Sequence, residues 1–286
     1  MHDITHGRPL LIAPEHVPSL LRYRTAYREQ TSVDAAAQRG TSIAPGAIGV
    51  LPIVGPLEYR ESGFSSYFGL PTYDRLARDF DSLVNDSKVS AIVLDVDSPG
   101  GDAFGMTELS DRIYAARGTK PIIAAVNKMM ASAAFGICSA ADEIVMSSGW
   151  IGSVGVLMMH ADISGMNEQA GVDYTYIHEG QYKVEGNPDG PLGDEARQYM
   201  QAQAKEIYNQ FVGTLARNRG TTPARVRSDF GQGRMLLPRD AKKAGMIDRI
   251  ETIDQTMARL GGSRKTAQRR SKTLRQLRYG DTSNSC

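Results

Sequence analysis

The chain has 286 residues, a formal net charge of +1, 41% hydrophobic residues and 23% charged residues. This length allows one large domain or two small ones, and the composition is ordinary for a soluble globular protein. The two cysteines exclude a disulfide framework and a zinc site, and the absence of an apolar run of about 20 residues predicts no membrane span. The sequence shows no Gly-rich phosphate loop and no metal-ligand spacing, so no cofactor is expected.

The charge is distributed unevenly along the chain. Residues 263–286 contain seven Lys or Arg residues and one Asp, whereas residues 1–262 contain 26 basic and 31 acidic side chains. A basic tail on an acidic body suggests an anionic partner, including nucleic acid, although a flexible solvated tail has the same composition. The first residues lack the basic start and apolar centre of a signal peptide, so a cytoplasmic protein is expected.

Strands and helices alternate along most of the chain. Residues 91–96 form a nearly continuous apolar run, which is typical of a strand buried on both faces. Thr72 and Thr222 are candidate helix caps, and Gly118, Gly220 and Gly245 are candidate helix ends. In chain order we predict a strand at 48–55, a loop at 60–71, a helix from 72, a strand at 91–96, a helix ending near 118, a strand at 122–126, a helix to about 141, strands at 143–146 and 154–159, a helix at 162–170, a strand at 174–177, a long helix capped by Asp194, a helix from 222 and a helix at 241–247.

This alternation predicts an α/β fold with right-handed crossover connections. No internal repeat and no strong linker interrupts residues 45–260, so this range is expected to form a single domain. Residues 1–44 are interpreted as an N-terminal arm, and residues 261–286 as a basic, flexible tail.

Three stretches combine small residues with groups that have catalytic chemistry. Ser132 lies among alanines directly after the predicted strand at 122–126, where a turn into a helix would expose its hydroxyl near backbone N–H groups. Gly100 and Gly101 follow the strand at 91–96, and Lys183 follows the strand at 174–177. The simpler interpretations are a packed small residue for Ser132, a plain turn for Gly100 and Gly101, and a solvated surface lysine for Lys183.

The order of these motifs resembles one protein family. Asp-Ser-Pro-Gly-Gly at 97–101, Ala-Ser-Ala-Ala-Phe at 131–135, Gly-Ser-Val-Gly-Val at 152–156 and Gly-Gln-Tyr-Lys at 180–183 follow one another at the expected distances. This pattern resembles the signal peptide peptidase A family of serine proteases, which has the ClpP/crotonase fold of repeated β-β-α units. Residues 182–188 and the helix ending at 220 look like the bacteriophage branch, the capsid assembly or head maturation proteases.

The resemblance implies that Ser132 is the nucleophile and that Lys183 is its general base. A lysine removes the serine proton only when it is neutral, so its pKa must fall from about 10.4, which burial without a carboxylate partner achieves. The resemblance also implies an oxyanion hole at Gly100 or Gly101. The Ala133 N–H, next to the nucleophile, is the natural second donor.

A histidine base is the alternative. His160 follows Ser132 by 28 positions, and Asp162 or Asp173 could orient its ring, as in a Ser–His–Asp triad. The same residues also fit an ordinary strand end followed by a helix cap.

The resemblance implies a serine endopeptidase that cleaves scaffold protein, portal protein or itself during capsid assembly. It also implies a homo-oligomer, located in the bacterial host cytoplasm or in the procapsid. Two departures from the family pattern are the alanines at 133 and 134, where Gly-Gly is common, and the missing membrane anchor of the cellular members. The alternatives are a cellular signal-peptide or protein-quality peptidase, and an inactive assembly scaffold.

Overall fold

A computed structural model describes residues 9–18, 21, 41–44 and 47–262. Most of the predicted N-terminal arm, and the basic tail after Gly262, lie outside the described residues. The described strands are β1 (Leu10–Ile12), β2 (Ser42–Ala44), β3 (Ile48–Val54), β4 (Ala91–Ser98), β5 (Gly100–Asp102), β6 (Ile122–Ala131), β7 (Glu143–Gly152) and β8 (Met235–Leu236). The helices are α1 (Gly63–Phe68), α2 (Tyr73–Asn85), α3 (Met106–Ala115), α4 (Ala133–Cys138), α5 (Ser164–Gln169), α6 (Asp194–Asn218), α7 (Pro223–Asp229), α8 (Pro238–Ala244) and α9 (residues 253–262), with single 3-10 turns at Pro14–His16 and Gly231–Gly233.

Six of the described strands form one sheet in the order β2-β3-β4-β6-β7-β8. The four central strands, β3, β4, β6 and β7, run parallel, and β2 and β8 pair antiparallel at the two edges. The α/β prediction is therefore confirmed, and β4, β5 and α3 form one β-β-α unit. Because parallel strands end at the same edge, the segments that follow β4 and β6 lie side by side.

Both faces of the sheet are covered. The larger core packs helices α2, α3, α4 and α6 against one face and includes Phe80, Phe135 and Phe211. On the other face Ile48, Val93, Ile123, Ala125 and Val145 pack against Ile253, Met257 and Leu260 of α9. The predicted two-sided burial of the apolar run in β4 is confirmed, since all but one of the residues from Ala91 to Val96 are buried. A strand buried on both faces holds its carboxyl end in a fixed position.

Several predicted element boundaries are wrong. Residues 154–159 form only isolated bridges at Leu157 and Met159, and residues 174–177 have no strand assignment. The predicted loop at 60–71 contains the short helix α1, because Ser62 and Ser65 form a reciprocal capping box at its first turn.

The Arg117 guanidinium joins the end of α4 to the end of α6. It donates to the carbonyl oxygens of Ala140 (2.8 Å), Ala141 (2.7 Å) and Asn218 (3.1 Å), and its Cζ lies 4.5 Å from the centre of the Tyr114 ring. Partial burial lowers the pKa of the Arg117 guanidinium. This side chain satisfies helix-terminal carbonyls that the helices leave without intrahelical partners.

Replacing Arg117 with alanine should therefore destabilise the protein by about 2–3 kcal/mol, because several charge-assisted hydrogen bonds are lost together. Urea unfolding would measure the change in the free energy of unfolding. Arg112→Ala is the matched control, since Arg112 is half exposed and pairs only with Asp81 among the contacts described for it. That substitution should cost less than about 1 kcal/mol. Equal effects of the two substitutions would contradict the role of Arg117.

Candidate active site

Ser132 occupies a sharp turn between β6 and α4. Its backbone has φ 52° and ψ −117°, a sparsely populated conformation for a residue other than glycine. The Ser132 N–H donates to the carbonyl of Gly152 at 2.8 Å, and the Ser132 carbonyl accepts from the Gly136 N–H at 2.9 Å. The turn is therefore held on one side by the end of β7 and on the other by the first turn of α4. A strained strand-to-helix turn of this kind is how nucleophilic serines are presented in hydrolases.

The Ser132 hydroxyl is buried and unsatisfied. The residue has 0% exposure, and among the described residues its Oγ atom has no hydrogen-bond partner. A buried hydroxyl without a partner costs about 1–3 kcal/mol. The turn thus combines backbone strain with an unsatisfied polar group. This combination is unfavourable for folding, and it is typical of a site maintained for reactivity.

Gly100 lies directly against this turn. A Cβ atom at position 100 would come within 3.0 Å of the Ala133 nitrogen and 2.1 Å of the Leu11 carbonyl oxygen, and the residue has φ +93°. At Gly101 a Cβ atom would lie 1.9 Å from the Leu57 carbonyl oxygen. No larger residue fits at either position. The close approach brings the predicted oxyanion-hole residue Gly100 and the Ala133 N–H together beside Ser132.

Ser98 and strand β1 fix the corner that contains Gly100. The Ser98 hydroxyl donates to the Gly55 carbonyl at 2.7 Å and accepts from the Gly100 N–H at 3.2 Å. Strand β1 pairs antiparallel with β5, with Leu11 opposite Gly101. Because its N–H is already bonded to Ser98, Gly100 must exchange this partner before it can bind an oxyanion.

Lys183 is not hydrogen-bonded to Ser132. It is exposed in a turn over residues 181–186, where its own N–H donates to the Gly180 carbonyl at 3.0 Å. Since Ser132 Oγ has no partner among the described residues, no hydrogen bond joins it to the Lys183 amino group. Residues 174–177, which were predicted to form the strand before Lys183, form no strand. Ile177 in this stretch is 97% exposed. The described conformation brings Ser132 and the glycines together, and it forms no hydrogen bond between Ser132 and the predicted base.

His160, the alternative base, is also not bonded to Ser132. Its Nε2 atom lies 3.1 Å from the Gly190 carbonyl oxygen. Asp162 accepts from the N–H and the hydroxyl of Ser164, the first residue of α5, and these bonds lower the pKa of the Asp162 carboxyl, with a smaller contribution from the nearby His160. The Asp162 side chain therefore holds the turn before α5, whose N-cap residue is Ile163 and not the expected Asp162.

A cavity of about 770 Å³ adjoins the turn that carries Lys183. The Tyr182 hydroxyl is hydrogen-bonded to Glu195 at the start of α6, and this bond raises the pKa of Tyr182. The cavity is lined by Met158, Tyr182, Glu185, Gly186, Glu195, Ala196, Gln198, Tyr199, Met200 and Gln203. We refer to it below as the acidic–aromatic cavity.

The sequence interpretation overlooked several supporting residues. Ser98 and Gly152 lie inside motifs that were recognised. The Ser98–Gly100 hydrogen bond is local, whereas the bonds from Ser98 to Gly55 and from Ser132 to Gly152 join residues distant in sequence and have no local signature. Leu11 belongs to a segment interpreted as an arm, although all three residues of β1 are buried. The apolar run at 10–13 was the available signal for this strand.

Sequence comparison places the chain among peptidases. Residues 115–266 match peptidase family S49. The chain is 38% identical over 170 residues to the head-tail preconnector protein GP5 of Enterobacteria phage P21, covering 59% of this chain and 34% of that protein. It is 29% identical over 239 residues to the capsid assembly protease C of Escherichia phage lambda, covering 79% of this chain and 54% of that protein. The chain thus spans about a third and about half of the length of these two relatives.

Solved structures with a similar arrangement have low sequence identity. The 1510-N membrane-bound stomatin-specific protease matches with a TM-score of 0.44 at 18% identity, covering 75% of this chain and 84% of that one. ClpP1 of Listeria monocytogenes matches with a TM-score of 0.42 at 14% identity, covering 71% of this chain and 91% of that one. Within the described residues, no helix has the length and apolar composition needed to cross a bilayer.

Proposed function

Because this chain belongs to peptidase family S49, we propose that it is a serine endopeptidase in which Ser132 is the nucleophile and Lys183 the general base. The observation that carries the proposal is the strained turn at Ser132, whose buried hydroxyl has no partner among the described residues. Such a group is costly to keep in a folded protein unless its reactivity is used.

Each half of the proposed reaction, acylation and deacylation, needs two proton transfers. The Ser132 Oγ atom attacks the substrate carbonyl carbon while its proton moves to the neutral Lys183 amino group. The carbonyl oxygen becomes an oxyanion that the Ala133 N–H, and Gly100 or Gly101, would stabilise. Collapse of this intermediate breaks the peptide bond, and the Lys183 ammonium returns the proton to the leaving amine. Water then hydrolyses the acyl-enzyme by the same route.

This mechanism requires a rearrangement of the segment that carries Lys183. In the described conformation Lys183 is exposed and Ser132 has 0% exposure, so their side chains must come into contact and substrate must gain access. Residues 153–163 and 170–193 have no regular helix or strand, which makes this part of the chain easier to move than the sheet.

Capsid components are the proposed substrates. The names of the two phage relatives, a capsid assembly protease and a head-tail preconnector protein, support this assignment. By the same reasoning we propose that the chain acts as a homo-oligomer in the host cytoplasm or in a procapsid. Scaffold and portal proteins, or the chain itself, would be cleaved there.

Co-expression with a scaffold protein and a portal protein from the same genome tests this proposal. Mass spectrometry should detect defined fragments of at least one of them, because endoproteolysis produces new termini at fixed positions. Co-expression with the Ser132→Ala chain is the control and should leave both proteins intact. Intact proteins in both cultures would contradict the capsid substrates, whereas identical fragments in both cultures would contradict Ser132 as the nucleophile.

A further inference from the structure

The acidic–aromatic cavity contains groups that the proposed chemistry does not use. The Tyr182 and Tyr199 rings, 54% and 58% exposed, are part of its lining together with the side chains of Met158 and Met200. Two carboxylates, Glu185 and Glu195, also line it. Its lining, drawn from the described part of the chain, includes no Lys, Arg or His side chain.

These groups match the two parts of a basic side chain. The alkyl stem of Lys or Arg packs on apolar and aromatic surface, and its charged head is attracted by aromatic faces and bonds to carboxylates. An apolar side chain in the cavity would draw water away from two carboxylates without supplying a positive charge to balance them. An acidic side chain would be repelled by both. The lining therefore favours a cationic occupant over the other two classes.

The cavity is next to the proposed base in the chain. Tyr182 directly precedes Lys183, and Glu185 and Gly186 follow it by two and three positions. Because Tyr182, Glu185 and Gly186 lie within three positions of Lys183, they stay close to it when this segment moves, and a substrate whose scissile bond reaches Lys183 passes next to them. We infer that the acidic–aromatic cavity binds a Lys or Arg side chain of the substrate peptide near the cleaved bond. This inference rests on the proposed endopeptidase function, which brings a peptide to this position.

Binding to the inactive Ser132→Ala chain tests the inference without requiring turnover. The probes are fluorescently labelled nonapeptides in which one arginine is moved through every position of a neutral background. A matched series has citrulline, which is uncharged and similar in shape, at the same positions. Fluorescence anisotropy should show at least one position where the arginine peptide binds about tenfold more tightly than its citrulline partner.

Substitution of the two carboxylates should remove this preference. In a Glu185→Gln/Glu195→Gln chain, also carrying Ser132→Ala, the ratio of the two affinities should fall close to one, because glutamine keeps the shape and hydrogen-bonding capacity but loses the charge. Glu179→Gln is the matched control: Glu179 is exposed in the same segment, does not line the cavity, and should leave the ratio unchanged. Equal binding of arginine and citrulline peptides at every position, or a preference that persists without the two carboxylates, would overturn the inference.

Hydrolysis of the same peptides by the unsubstituted chain separates this inference from the proposed function. In one outcome no peptide is cleaved, the Ser132→Ala chain still prefers arginine peptides, and the glutamine variant loses this preference. The endopeptidase proposal then fails and the cation-binding cavity stands. If arginine and citrulline peptides are cleaved at equal rates and bound equally, the endopeptidase proposal stands and the inference is overturned.

Discussion

Ser132→Ala should lower peptide hydrolysis by about 10⁴-fold or more, because removing the nucleophile closes the covalent route and leaves only binding and oxyanion stabilisation. The same substitution should not destabilise the fold. The Ser132 hydroxyl is buried and has no partner among the described residues, so its removal relieves a desolvation cost. The free energy of unfolding should therefore stay the same or rise by about 1–2 kcal/mol. Hydrolysis rates and urea unfolding on the same preparation measure both effects.

Ser139→Ala is the matched control for this substitution. Ser139 is equally buried and lies seven positions further along the chain, but its hydroxyl donates to the Gly136 carbonyl at 2.7 Å and accepts from Asn218 at 2.8 Å. Its removal should cost about 1–2 kcal/mol of stability and leave hydrolysis by the folded protein nearly unchanged. A Ser132→Ala chain that hydrolyses peptide at the original rate would eliminate Ser132 as the nucleophile.

Lys183→Ala should reduce hydrolysis by about 10³-fold or more, because no other group would then accept the Ser132 proton. Lys183 is exposed, so this substitution should change the free energy of unfolding by less than about 0.5 kcal/mol. Loss of activity would then report on chemistry and not on unfolding. Lys183→Arg should fail to restore activity, because a guanidinium remains protonated at all working pH values.

His160→Gln should retain most of the activity if Lys183 is the base. Activity should then rise with pH, since a lysine base works only in its neutral form. If His160 is the base, the two variants exchange outcomes: His160→Gln should be inactive and Lys183→Ala should remain active. Both chains must first be shown to unfold in urea like the original. An active Lys183→Ala chain would exclude the Ser–Lys mechanism.

The sequence determined the local features of the fold. Thr72 and Thr222 accept hydrogen bonds from Arg75 and Arg225 as N-caps, and Gly245 closes α8 with φ +83°. These features depend on a few consecutive residues, so hydrogen-bonding side chains and glycine are sufficient to predict them. The apolar run in β4 also identified a strand buried on both faces. Boundaries were less certain, and the predicted cap Asp194 is instead the first residue of α6 after Gly193.

The tertiary structure decided how the candidate site is supported. Ser98, Leu11 and Leu57 hold the Gly100–Gly101 corner through contacts between residues more than 40 positions apart in sequence. The sequence predicted that the glycines and Ser132 each follow an apolar strand. It contained no local signal for the Ser98 hydrogen bond to Gly55, or for the pairing of β1 with β5.

Ser132 and Lys183, the two residues of the predicted dyad, also differ in how far the sequence alone predicts their positions. Ser132 follows a buried strand that the apolar run at 122–126 identifies, so its placement at a strand-to-helix turn could be predicted from the sequence. Lys183 lies in a long irregular segment in which residues 171–183 are all exposed, and the alternating pattern at 174–177 forms no strand in the described chain. A strand forms only where a partner edge is available, and only the folded chain decides which edges are free. The sequence by itself therefore determined the turn at Ser132, whereas the position of Lys183 depends on contacts made in the tertiary structure.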